Sequence, residues 1–174
     1  MENSVVNSLI ERRSIRNYKP DQVNEEALEL ILKAGTYAAT GMNRQSPIII
    51  AVQDKDTVEQ LRKMNAEIMG APDSDPFYGA PTVVIVLADK NVPTHVYDGS
   101  LVMGNLMLAA HAEGLGSCWI HRAKETFEAK EWKEWLASLG VEGEYEGIGH
   151  CALGYIEGDY KADLPRKQGR VFYV

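Results

Sequence analysis

Glu11-Arg12-Arg13-Ser14-Ile15-Arg16 sets three arginines and a hydroxyl within five residues, at the end of an apolar helical stretch. Like charges so close repel one another, and a bound anion is the simplest thing that would offset the repulsion. Guanidinium groups give fork-shaped, bidentate contacts to phosphate, and a serine adds one more donor. The same residues also suit a solvated helix end, where cations favour the C-terminal dipole. Two other stations share this character: the glycine-rich Gly114-Leu115-Gly116-Ser117 and the basic Pro165-Arg166-Lys167-Gln168-Gly169-Arg170. Two basic clusters at opposite ends of the chain can converge on one phosphate if the fold brings them together. The glycine station lacks the strand-before, helix-after context of a dinucleotide fingerprint and the Lys-Ser/Thr of a phosphate loop. A helix C-cap suffices for Gly114. Gly116 and Gly149 then either admit something flat or relieve strand crowding.

Asn43 and Gln45, flanking Arg44, offer amide donors and acceptors that suit the edge of a heterocycle, or simply an ordinary polar loop. The four histidines, at 95, 111, 121 and 150, are scattered. His111 falls on an expected helix and His150 in an expected strand, both in structural rather than catalytic settings. No Ser-His-Asp order or carboxylate pair argues for hydrolysis, and no Cys/His spacing resembles a zinc site. The side chains read as binding groups, so a cofactor would carry the difficult chemistry.

A formal net charge of -7 makes the local arginines more pointed and argues against nucleic acid or an anionic membrane surface as the main partner. Apolar residues make up 45% of the 174 and charged residues 25%, as in an ordinary globular domain, and the length suits one domain over 1–174 with a real core. Cys118 and Cys151, far apart in apolar surroundings, read as buried reduced thiols of a cytoplasmic protein. The N-terminus lacks the basic region and long apolar run of a signal peptide, and no window is apolar enough to span a bilayer.

The elements that must position these residues follow from hydrophobic spacing. Helices are expected over 3–12, 24–38 (Asn24 as N-cap), 56–69 (Asp56 as cap), 97–113 and 127–139. Residues 97–113 carry little charge on any face and read as a central, mostly buried helix. Strands are expected over 48–52, 81–88, 118–120 and 145–155, and 71–76 reads as a turn-rich, mobile segment. The apolar end Val171-Phe172-Tyr173-Val174 reads as a short strand able to pair with a sheet edge, including that of another subunit.

Taken together, Arg12-Arg13-Ser14-Ile15-Arg16, Gly41-Met42-Asn43-Arg44-Gln45-Ser46-Pro47, Tyr78-Gly79-Ala80-Pro81, Asn105-Leu106-Met107-Leu108-Ala109-Ala110, Gly114-Leu115-Gly116-Ser117-Cys118-Trp119-Ile120 and Pro165-Arg166-Lys167 resemble the nitroreductase-like family of FMN-dependent oxidoreductases. The matches cover nearly the whole chain in the family's order. The resemblance implies an α+β fold with a central, mostly antiparallel sheet flanked by helices, and a homodimer with tightly bound FMN at the interface. It implies that Arg12, Arg13, Ser14 and Arg16 hold FMN, with Arg12 and Ser14 on the phosphate and Arg16 at the N1/O2 edge of the ring. Met42, Asn43 and Gln45 would come from the partner subunit. Gly116, Cys118, Trp119, Ile120 and His121 would lie along the isoalloxazine and offer a backbone N–H near N5. Arg166 and Lys167 would close over the phosphate, with Arg170 as an alternative.

The implied activity is transfer of electrons from NAD(P)H, a transient co-substrate, through FMN to a nitroaromatic, quinone or related small-molecule acceptor by a ping-pong route. A flavin carrier or sensor without turnover, and a substrate-specific reductase or dehydrogenase of the same fold, are the competing readings. The chain is short for the family, which implies an open cleft covered by little more than residues 69–76.

Overall fold

The computed structural model describes residues 3–160 and 165–174. Its centre is one antiparallel sheet built from β1 (Pro47–Val52), β2 (Thr82–Asp89), β3 (Gly116–Ile120) and β4 (Tyr145–Gly154), in the order β1-β2-β4-β3. The run Val83-Val84-Ile85-Val86-Leu87-Ala88 has no polar alternation because both faces are covered. Val83, Ile85 and Leu87 face one core with Cys118, Ile120 and Ala152; Val84, Val86 and Ala88 face a second with Cys151 and Leu153. Helices α3 (Lys55–Met69), α5 (Ala123–Glu128) and α6 (Lys130–Ser138) cover the first face. Helices α2 (Glu25–Thr36) and α4 (His95–Ala112) cover the second. A register shift between Val86 and Leu87, opposite Gly147 and Gly149, turns Ile148 onto the α4 side although His150 faces the other.

The expected helices and the four expected sheet strands are present, with local differences. Asn24 caps α2, its side chain accepting from the Ala27 amide at 2.8 Å. α3 begins at Lys55, and Asp54 rather than Asp56 caps it, taking the Thr57 amide at 2.8 Å and its hydroxyl as well. The helix expected over 127–139 is two helices broken at Ala129, whose backbone is extended. The break lets Phe127 and Trp132 meet edge to face in the core, 5.9 Å between ring centres. α4 ends at Gly114, φ 74°, with the Leu115 amide reaching back to the Ala110 carbonyl. α4 is buried on one face only, since Val96, Tyr97 and Leu101 are exposed.

Helix α1 (Ser4–Glu11) lies on α4 and buries no residue; Val5, Val6, Leu9 and Ile10 are all exposed. Val171 to Val174 form no strand and are likewise exposed. Residues 70–76 are tied down rather than loose: Arg62 donates to the Ser74 carbonyl, and the Ser74 hydroxyl bonds the Ala71 carbonyl.

Candidate functional site

β3 is an edge strand, and the arginine segment lies on its free edge. Ser14 bridges Ser117 in parallel, and the Ile15 amide donates to the Ser117 carbonyl at 3.0 Å. Ile15 is buried against Gly116, where an added Cβ would stand 2.9 Å from the Ile15 Cβ. Strand crowding therefore explains Gly116. At Gly149 the flat neighbour is the Trp119 indole, stacked on the bare backbone. Tyr18 completes the attachment, its hydroxyl donating to the Ile15 carbonyl at 2.7 Å.

The three guanidinium groups have different surroundings. Arg13 donates to the Ile10 and Arg12 carbonyls at 2.6 and 2.7 Å at the end of α1, while its Nε is shut off from solvent without a partner. Arg12 is half-buried, and its Nη1 is shut off from solvent without a hydrogen-bond partner. The Arg16 guanidinium lies 5.8 Å from the centre of the Tyr78 ring. Among the described residues, none of the three forms an ion pair.

Cys118 sits beneath this segment. Burial pushes its thiol up, partly offset by Arg16, a hydrogen bond with Ser14, and Arg12. Cys151, wholly buried, is pushed up to about 12 by desolvation, with the neighbouring Cys118 adding to it. Both cysteines are free and buried. The Cys118 and Ile120 side chains belong to the core and Trp119 packs on the α4 side, so this strand can face a ligand through its backbone edge alone. His121, just past the strand, is exposed.

The 40–45 loop is built by strain and one buried acid. Met42, Asn43 and Gln45 all have positive φ (56°, 53° and 50°), an unusual concentration for non-glycine residues. Asp98, 3% exposed, holds the loop: its carboxylate accepts from the Gly41 amide at 2.9 Å and the Thr94 hydroxyl at 2.8 Å. Met42, Asn43 and Gln45 are exposed, and the Gln45 amide donates to Asn43 at 3.2 Å. Asp98 escaped the sequence reading, although it is the sole acid within the eighteen residues of α4.

One chain does not bring this loop to the arginines. Asp98 and Ala110 lie twelve residues apart on α4, about 18 Å along its axis, with the loop at the first and β3 entered just past the second. Arg166, Lys167 and Arg170 are exposed and make no hydrogen bond or ion pair among the described residues. Tyr78, quoted above only as part of a motif, is brought to Arg16 by a turn in which Asp75 accepts from the Phe77 and Gly79 amides.

Residues 9–155 match the family described as Nitroreductase family. A nitroreductase with bound FMN from Bacteroides fragilis is 30% identical and superposes with a TM-score of 0.90, over 99% of this chain and 100% of that one. A nitroreductase with bound FMN from Desulfitobacterium hafniense has the same fold at 22% identity, TM-score 0.88, with 100% of both chains covered. The FMN reductase [NAD(P)H] of Bacillus subtilis is 29% identical over 137 residues, 66% of this chain and 53% of that protein. Of three curated relatives, the chain spans 59%, 87% and 53% of their lengths. No helix among the described residues is long and apolar enough to cross a membrane.

Proposed function

The chain belongs to the nitroreductase family, and from that premise we propose that it is an FMN-dependent oxidoreductase drawing electrons from NAD(P)H and passing them to a nitroaromatic, quinone or related acceptor. The observation that carries this reading is the Arg12 Nη1: a buried N–H with no partner, in an arginine cluster that forms no ion pair among the described residues, at a sheet edge. A buried donor left unpaired is costly, and a phosphate oxygen would satisfy it. The donor set therefore fits FMN.

Arg12 and Ser14 would hold the phosphate, and Arg16 would face the N1/O2 edge, where a cation favours the electron-rich ring. The free edge of β3 beyond Ser117 would lie along the isoalloxazine and offer it a backbone N–H. Arg13, whose Nη1 is taken up by the end of α1, would add charge and the unpaired Nε. Met42, Asn43 and Gln45 would reach the ring from a second copy of the chain, in keeping with the separation along α4. Arg166, Lys167 and Arg170 would close over the phosphate from the tail. When bound, FMN supplies the chemistry of accepting a hydride and passing electrons on. One cleft used in turn by donor and acceptor gives a ping-pong pattern.

The test is the visible spectrum of the purified protein, followed anaerobically as NADH and then NADPH are added. Flavin bands that bleach with either donor are the expected result. Bands that persist would favour a flavin carrier or sensor. A colourless protein that takes up no added FMN would overturn the reading.

A further inference from the structure

Behind the free end of β3 lies a polar contact with no evident reason to exist in an apolar layer. Asn65, on the inner face of α3, is 0% exposed among Leu61, Ala66 and the first core. Its Nδ2 donates to the His121 carbonyl at 2.9 Å, and its Oδ1 accepts from the Arg122 Nε at 3.0 Å. A flipped amide would set donor on donor and acceptor on acceptor, so its orientation is fixed.

The residue it grips is strained. Arg122 has φ 76° and ψ 12°, the left-handed region that glycine adopts freely and arginine does not. Such a conformation persists only where surroundings dictate it. The Arg122 carbonyl accepts both the amide and the hydroxyl of Thr126, at 3.0 and 2.9 Å, and Asn65 takes the side chain. Arg122 forms no ion pair among the described residues, so a neutral amide is what holds its guanidinium. The turn is thus clamped from α5 on one side and α3 on the other.

This clamp sets the direction in which the backbone leaves Ile120. We propose that Asn65 is a positioning residue: by gripping His121 and Arg122 it fixes the backbone at the end of β3 against the reactive edge of the flavin, without touching the flavin itself. The inference rests on the reading that this edge of β3 lies along the isoalloxazine. A 1 Å error in such a backbone costs about 10- to 100-fold in rate.

The experiment compares the wild type with Asn65→Leu, Asn65→Asp and the double variant Asn65→Leu/Arg122→Gly, each loaded with FMN. It reads the flavin absorption spectrum, the midpoint potential, FMN affinity and the rate of anaerobic bleaching by NAD(P)H. Asn65→Leu should shift the spectrum and potential and slow bleaching by about 10-fold or more, with FMN affinity changed far less because the phosphate station is intact. Glycine at 122 takes φ 76° unaided, so the double variant should recover much of the loss. Asn65→Asp keeps the acceptor for Arg122 and loses the donor to His121, so it should fall between wild type and Asn65→Leu. If Asn65→Leu does not fold, Asn65→Asp decides: a shifted spectrum and potential supports the clamp, and a wild-type spectrum and potential overturns it. A folded Asn65→Leu that merely melts earlier, with unaltered spectrum, potential and rate, makes Asn65 a core amide and overturns the proposal. A wild type that binds no FMN overturns the functional reading itself, a result separable from all of these.

Discussion

At the scale of single residues, the site is defined by groups whose needs the chain alone does not meet. The Arg12 Nη1 is one, buried and unpaired. Charge-assisted hydrogen bonds are worth about 1.5–3 kcal/mol, so Arg12→Ala should weaken FMN binding by about 10- to 100-fold in a fluorescence titration. Unchanged affinity would remove Arg12 from the phosphate. His150 is an unpaired group of a different kind, in the core rather than the site. It is wholly buried between Phe77 and Phe127, and neither ring nitrogen makes a hydrogen bond of good geometry among the described residues. Desolvation lowers it to about 3 from 6.5, opposed by the nearby His121 backbone and helped by the Arg122 charge. The unfolded chain then takes up a proton below about pH 6.5 that the native chain refuses until about 3. Stability is whole above that window and falls as the pH drops through it, by at most about 1.4 kcal/mol per pH unit. Thermal melts between pH 7 and 4 should show the decline, and His150→Phe should flatten it. An equal decline in that variant would assign it elsewhere.

At the scale of elements, apolar spacing was the legible part. The strands and most helices could be placed because β2 is a run buried on both faces and α2 keeps one apolar stripe. The break at Ala129 was not legible, because Phe127, Trp132 and Leu136 keep an apolar face on both sides of it. The burial of α4 was overread: composition gives a helix's apolar content, not which flank a neighbour covers. Of the site, the arginine and β3 stations could be named from sequence, but their pairing, Ser14 beside Ser117, joins residues a hundred positions apart. Gly116 was explicable only once Ile15 was seen against it. Asp98 and Asn65 leave no local pattern, since each serves a loop distant in sequence. The end of the chain, expected as a strand, forms none among the described residues, and its apolar side chains stand exposed.

At the scale of the molecule, a lone chain leaves too much apolar surface bare. α1 buries nothing, and Tyr97 and Leu101 of α4 are exposed with Val171, Phe172 and Tyr173 of the tail. Exposed apolar side chains on three elements are what association would cover. We expect a homodimer at twice the 19.3 kDa chain mass in light scattering, and Leu9→Asp should reduce both the dimer and its flavin content. A folded, flavin-loaded monomer would contradict this. The 40–45 loop adds a kinetic aspect. Its three left-handed residues and its tether to Asp98 fix its shape before any partner arrives. A segment already rigid loses little conformational entropy on docking. In such a dimer the subunits would meet as preformed halves, and the lifetime of the pair, rather than any folding of the loop, would govern how often subunits exchange.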